Sequence, residues 1–303
     1  MQPLSPLLTE VQHHLPANGE SRRLFYGRGQ CFAGYDDVVI DYHPHLILIC
    51  LYRQRDAAWL EAMAAELREL IADARCVVVQ YRYQQGCPVR VVSGEAPDQP
   101  EAIEDGLRYH LQLDRGQNLG FFPDMAFGRR LVRQRAQGKK VLNLFAYTCS
   151  FSIAALAGGA RNVCNVDMSR SALELGRANH LLNGYDLRDA SFVAVEVFRS
   201  NSRMRKLAPF DLIVCDPPAQ QGRSFTAQTH WPKLLQRLPS WVVPGGELML
   251  CLNGPHVEES FLEDLLASYL PCAELLGCLD SGEDFPEKKP HCKTRLYHLR
   301  YHS

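Results

Sequence analysis

From residue 140 onward, short apolar runs alternate with stretches of helical spacing, and few folds accept that rhythm. The runs fall at 141–145, 162–167, 190–195, 210–215, 246–252, 273–279 and 296–301. Strands separated by helices cannot pair as hairpins, so they predict a mostly parallel sheet with helices on both faces. The last two runs flank a polar loop, 282–291, and predict an antiparallel pair that closes the sheet. The expectation is an α/β, Rossmann-like fold with a seven-stranded sheet. In such sheets ligands sit beyond the carboxyl ends of the strands.

The residues before this rhythm follow another pattern. Residues 1–20 are polar and suit a loose arm or a short helix. Residues 38–42 and 46–52 read as strands around the turn His43-Pro44-His45, and 76–83 and 89–92 as two more. Between them, 57–72 places Leu60, Met63, Ala64, Leu67, Leu70 and Ile71 at helical spacing. A small N-terminal α+β domain is expected over 1–105, with 94–105, rich in Pro, Glu and Asp, as its linker. The second domain is expected over 106–303.

Composition limits function more than fold. At 46% hydrophobic and 22% charged residues the chain is of globular type, and no run nears the ~18 apolar residues of a membrane span. Residues 1–6 carry no basic patch leading into an apolar stretch, so no signal peptide and a cytoplasmic location are expected. The eleven cysteines include no Cys-x-x-Cys pair, which argues against a metal site. Their odd number suits reduced thiols. A net charge of −1 disfavours broad nucleic-acid binding but permits local basic patches, found at 129–140, 199–206 and 288–295.

Four stretches carry chemistry. Within 141–152 an apolar strand runs into small polar residues and then a helix, where free helix N–H groups can meet a ligand. Thr148 or Ser150 is placed to cap that helix. Asp167 ends the second strand about 20 residues on, where a carboxylate can accept both hydroxyls of a ribose or cap the helix beginning at Ser169. Glu196 follows the third strand, placed either to accept from an adenine amino group or to answer a helix dipole. The strand 210–215 ends in Asp216-Pro217-Pro218, whose two fixed φ angles stiffen the backbone beside a carboxylate, suiting a planar, amine-bearing group. No Gly-x-Gly-x-x-Gly is present, which weighs against dinucleotide binding.

From about Gln117 the chain resembles the bacterial large-subunit (23S) ribosomal RNA methyltransferases that modify cytosine C5 or guanine N7. The resemblance is carried by Asn118-Leu119-Gly120-Phe121-Phe122-Pro123-Asp124 and by Leu142-Asn143-Leu144-Phe145-Ala146-Tyr147-Thr148. Further on it is carried by Gly158-Gly159-Ala160 with Val166-Asp167-Met168-Ser169-Arg170, by Asn179 with Asn183-Gly184, and by Asp211-Leu212-Ile213 through Asp216-Pro217-Pro218. It implies the class I methyltransferase fold, S-adenosyl-L-methionine as cofactor and RNA as substrate. It also implies a cofactor site lined by Phe145, Ala146, Tyr147, Thr148, Cys149, Ser150, Phe151, Asp167, Met168, Ser169, Glu196, Val197 and Asp216, with Asp124 near the rim. Three departures stand out. The family has Gly where this chain has Cys149 or Ser150. Its Asp-x-Arg element reads Asp124-Met125-Ala126, with Arg129 and Arg130 one turn on. Its RNA-binding appendages are not apparent in residues 1–115.

Methylation at cytosine C5 needs a cysteine nucleophile, because that ring carbon must be activated by covalent addition. In the cytosine-modifying relatives the sulfur lies just past the fifth strand, where this chain has Asn253. Cys251 falls inside that strand, and Cys215 alternates to the opposite side of its strand from Asp216. The resemblance therefore leans toward guanine N7, whose ring nitrogen is itself the nucleophile, with Asp216, Pro217, Pro218 and Asn253 positioning the base. The loop 284–291 suits either a substrate lid, with Lys288, Lys289 and His291 on phosphate, or a charged surface hairpin. Two other readings stay open: a catalytically silent RNA-binding or assembly factor, and a methyltransferase for a protein or small molecule. Nothing in the sequence speaks to the oligomeric state.

Overall fold

The computed structural model describes residues 3–15, 18–114, 116–218, 220–221, 225–253 and 257–303. Ala219 and Gly254, which flank two of the motifs above, lie outside the described residues. The chain divides into two compact units, Met1–Asp124 with Gly282–Lys289, and Met125–Ser281 with Pro290–Ser303. The division falls at 124/125, where the sequence placed it at 105/106.

The first unit comprises α1 (Ser5–His13), β1 (Arg22–Tyr26), β2 (Val38–His43), β3 (Leu46–Leu51), α2 (Ala57–Leu70), β4 (Cys76–Tyr81), β5 (Val89–Gly94), β6 (Glu101–Glu104) and β7 (Leu107–His110). Its five-stranded sheet has the order β1-β2-β3-β4-β5. Only β3 and β4 are parallel within it, because α2 carries the chain back between them. Asp56 caps α2 by accepting from the Ala58 and Trp59 N–H groups. Met63 and Leu67 of α2 and Leu7 and Val11 of α1 then close one face of the sheet over Ile40, Ile49 and Val79. Residues 1–20 thus resolve in favour of the short helix.

The stretch expected as linker is structured instead. β6 and β7 form a hairpin through Asp105-Gly106, both at positive φ, the two-residue turn that an Asp-Gly pair favours. Ser21 fastens the hairpin: its N–H donates to the Ile103 carbonyl (2.7 Å) and its Oγ accepts from the Ile103 N–H (2.9 Å). Gly282–Lys289 is also docked in this unit. Arg22 donates twice to Asp284 at 2.8 Å, Phe285 is buried beside Tyr26, and the Lys288 N–H donates to the Gly29 carbonyl (2.8 Å). Burial pushes the Asp284 carboxyl up, but Arg22 and His14 outweigh it and hold it below its ordinary value.

The second unit comprises α3 (Ala126–Arg135), β8 (Lys140–Leu144), α4 (Ser150–Ala157), β9 (Asn162–Asp167), α5 (Arg170–Leu182), β10 (Ala190–Ala194), α6 (Asn201–Leu207) and β11 (Phe210–Cys215). Next come the short β12 (Gln220–Gln221) and β13 (Phe225–Thr226), then α7 (Ala227–Leu235), β14 (Val242–Leu252), α8 (Phe261–Tyr269), β15 (Ala273–Asp280) and β16 (Arg295–Tyr301). Seven strands form one sheet in the order β10-β9-β8-β11-β14-β16-β15. The first five run parallel, and β16 lies antiparallel between β14 and β15, the closing pair expected from the sequence. The chain steps outward from β8 to β9 and β10, then returns to β11 on the other side of β8. This reversal puts a ligand crevice at the carboxyl ends of β8 and β11. Trp231, Leu234 and Trp241 pack on Leu142, Ile213 and Leu250 on one face. Val132, Phe151 and Ala155 pack on Val141, Val163 and Val214 on the other. Among the described residues no helix is long and apolar enough to cross a membrane, and no group of three His, Cys, Asp or Glu could hold a metal ion.

One buried carboxylate links three elements of this sheet. Glu247 of β14 pairs through Oε2 with His298 Nε2 of β16 (2.6 Å), and its Oε1 accepts from Lys139 Nζ ahead of β8 (2.7 Å). Burial pushes its carboxyl up, yet the hydrogen bonds from Lys139 and His298 prevail and hold it below its ordinary value. A depressed folded-state pKa stabilises the fold above the unfolded-state value and loses that stabilisation as pH falls through the folded-state value. Glu247→Gln should therefore lower the thermal midpoint at neutral pH, by about 2–4 °C per kcal/mol lost. The gap from wild type should close below about pH 4, near the free carboxyl value. Melting curves across pH check this, and a gap independent of pH would contradict it.

Candidate active site

The turn after β8 carries three non-glycine residues at positive φ, namely Phe145 (57°), Tyr147 (46°) and Cys149 (67°). Such backbone persists only where its surroundings over-determine it, and here each reversal is pinned. The Ala146 N–H donates to the Val166 carbonyl (3.0 Å), the Tyr147 N–H to Asp167 Oδ2 (2.9 Å) and the Cys149 N–H to the Ala146 carbonyl (2.7 Å). Cys149 is the N-cap of α4, and its own side chain makes no capping hydrogen bond. The N-cap position expected at Thr148 or Ser150 is therefore corrected to the residue between them, whose left-handed backbone turns the chain into the helix.

Helix α5 holds the turn from behind. Asn179 Nδ2 donates to the Thr148 carbonyl (3.2 Å), and the Cys149 side chain fills the notch left by Gly176. A Cβ on residue 176 would lie 2.3 Å from Cys149 Sγ. Cys149 is fully buried and its thiol is pushed well above its ordinary value by that burial and by Asp167, so it is a packing group here.

Asp167 joins two turns. Its Oδ2 takes the Tyr147 N–H and its Oδ1 takes the Ser169 N–H (2.8 Å), while Ser169 Oγ caps α5 at Ala172 (3.2 Å). Each carboxylate oxygen accepts one such bond and keeps capacity for another, so the turn-holding and ribose roles are compatible. Beside it Met168 is 49% exposed, an apolar side chain offered to solvent at a strand's end. Glu196 begins the turn Val197–Arg199. Its Oε1 accepts from the Phe198 N–H (2.8 Å) and its Oε2 pairs with Arg199 (3.2 Å). Phe145, Phe198 and Phe225 cluster within 6.4 Å of one another, and His230 lies 4.8 Å from Phe198. The sequence reading passed over this aromatic group, though Phe198 sits only two residues past Glu196.

The acceptor end is brought together across two strands. Asn253, just past β14, donates from Nδ2 both to Asp216 Oδ1 (2.7 Å) and to the Pro217 carbonyl (3.1 Å). Asp216 itself lies just past β11, its N–H toward the Leu144 carbonyl (3.4 Å) at the mouth of the β8–β11 crevice. Neither nearby cysteine competes for this position. Cys251 is fully buried within β14, and burial pushes the Cys215 thiol well above its ordinary value.

The other expected residues are divided between the two units. Asp124, in the turn Pro123–Met125, and the exposed Lys288 and Lys289 belong to the first unit, while His291 belongs to the second. The 284–291 group is thus divided, and its first half is anchored through Asp284 and Phe285. Gly176→Ala should cost about 1–3 kcal/mol through overpacking against Cys149. Cys149→Gly should restore most of that loss, because glycine tolerates the left-handed backbone. Urea titrations of both variants and their combination test the coupling, and strict additivity would refute it.

This geometry has counterparts among known proteins. The sequence pattern of the family described as S-adenosylmethionine-dependent methyltransferase matches residues 22–300. The ribosomal RNA large subunit methyltransferase I of Aeromonas salmonicida is 33% identical over 243 residues, covering 74% of this chain and 59% of that protein. The chain thus spans little more than half the length of such relatives. A candidate SAM-dependent methyltransferase from Streptococcus mutans superimposes with a TM-score of 0.86 at 22% identity, covering 99% of this chain and 82% of the other. SMU.776, a candidate methyltransferase complexed with SAH, gives 0.85 at 21% identity, covering 99% and 82%. The seven-stranded order and the pattern spanning nearly the whole sequence lead to one conclusion: this chain belongs to the S-adenosylmethionine-dependent methyltransferase family.

Proposed function

We propose that the chain methylates a base of ribosomal RNA, at guanine N7 rather than cytosine C5. The relatives named for the ribosomal large subunit support the RNA substrate. The observation that carries the choice of atom is the clamp in which Asn253 Nδ2 ties Asp216 to the Pro217 carbonyl. Asn253 stands where C5 chemistry would need a thiolate, and the buried Cys251 and Cys215 cannot supply one.

In this reading Asp167 accepts from the ribose hydroxyls of the cofactor, Glu196 and Val197 meet its adenine, and Met168 covers the adenine face. The turn Phe145–Phe151 and the first turn of α4 receive its amino-acid end. When bound, S-adenosylmethionine supplies an electrophilic methyl group on a sulfonium, and the sulfur leaves as a neutral thioether. Guanine N7 attacks with its own lone pair, so no residue need remove a proton from it before the transfer. What the chain contributes is alignment: Asp216, stiffened by Pro217 and Pro218 and fixed by Asn253, accepts from the 2-amino group on the guanine edge opposite N7 and so fixes the orientation of the ring. Water exclusion by Phe145 and Phe198 strengthens those hydrogen bonds.

Incubation with tritium-labelled cofactor and ribosomal RNA from a deletion strain, followed by nucleoside identification, should give 7-methylguanosine. Label in 5-methylcytidine would overturn the choice of atom. Absence of label from RNA with cofactor binding intact would favour the silent assembly factor. Asp216→Ala should reduce turnover at saturating cofactor by roughly 100-fold, the scale of a lost positioning contact. Full turnover in that variant would remove Asp216 from the mechanism.

A further inference from the structure

We propose that the first unit carries an RNA-docking surface, built from interleaved tyrosines and arginines at the carboxyl ends of β3 and β4. The proposal rests on the RNA reading above and assigns a surface to it. Because β3 and β4 are parallel, the chain leaves both at the same edge of the sheet. Each exit carries an aromatic–basic sequence: Tyr52-Arg53 after β3, and Arg82-Tyr83 after Tyr81, the last residue of β4. Arg28, from the turn Gly27–Gly29, brings its guanidinium 4.4 Å from the centre of the Tyr52 ring, and Arg82 lies 5.7 Å from the same ring. Tyr81 and Tyr83 meet edge to face at 6.0 Å, and Tyr83 is 38% exposed.

The nearby acids are engaged by other arginines. Asp36 pairs with Arg53, and Asp37 with Arg53 and Arg55. Arg28 and Arg82 have no carboxylate partner among the described residues. Arg28 Nη1 donates to the Asp36 backbone carbonyl (3.3 Å), and Arg82 Nε to the Gln80 side-chain oxygen. Guanidinium groups unclaimed by carboxylates, with the exposed Tyr83 next in the chain to Arg82, match the two needs of a single strand: cations for phosphates and a platform for bases. An acidic peptide would use the arginines and leave the Tyr83 ring idle, so RNA is the better occupant. Gln80 Nε2 also donates to the Gly116 carbonyl (2.7 Å). That bond ties this edge to the 116–124 segment.

The test is anisotropy of fluorescein-labelled oligouridylate against the full chain over a range of salt concentrations. Tyr83→Ala should weaken binding by about ten-fold, while Tyr83→Phe, which keeps the ring face, should bind like wild type. The double variant Arg28→Ala/Arg82→Ala should flatten the log–log salt slope by about 1.4, or ~0.7 per phosphate contact. Cofactor affinity and thermal midpoint should stay unchanged in all three. If wild type binds RNA with salt dependence and these variants match it, the surface is refuted while the RNA reading stands. If wild type binds no RNA, both fall together.

Discussion

The carboxylate of Asp167 is the fixed point of the second unit. It accepts the Tyr147 N–H from one strand-to-helix turn and the Ser169 N–H from the next, so two chain reversals share a single anion. The cost of holding Phe145, Tyr147 and Cys149 at positive φ is met by this bond and by the α5 contacts behind it. Losing it would release both turns at once. An acid at the end of the second strand therefore serves shape first, and its spare lone pairs serve a ligand second.

Much of this was open to reading from the sequence because strand and helix periodicities differ so strongly. All seven strands of the large sheet were placed within a few residues, including the antiparallel closing pair, while the short β12 and β13 were not. The errors came where a local pattern has two meanings. An acidic, proline-bearing stretch read as linker, yet Asp105-Gly106 inside it is also a hairpin signal. The loop 284–291 suits a substrate lid or a charged surface hairpin equally, and nothing in its composition could reveal that Asp284 finds Arg22 some 260 positions earlier. Long-range ion pairs leave no periodic trace.

The candidate site was legible by position and opaque in detail. Asp216 and Asn253 were both named from sequence, and the chain does bring them to 2.7 Å. What sequence could not supply was the direction of that bond, with a single amide nitrogen serving a carboxylate and a proline carbonyl together. The same holds for Cys149. The resembling family has glycine at this position or the next, and in this chain the Cys149 side chain occupies the space that Gly176 leaves on the facing helix.

The path of Gly282–Lys289 governs how this chain can be divided. After completing β15 the polypeptide leaves the second unit, runs through the first, and only then returns to thread β16 between two strands already laid down. The units are therefore joined by three crossings, and no single cut separates them. A gene fragment beginning at residue 125 would still encode a segment whose anchors, Arg22 and Tyr26, had been discarded. Neither unit is a single continuous stretch of sequence, so neither can be cut out as a self-contained cassette.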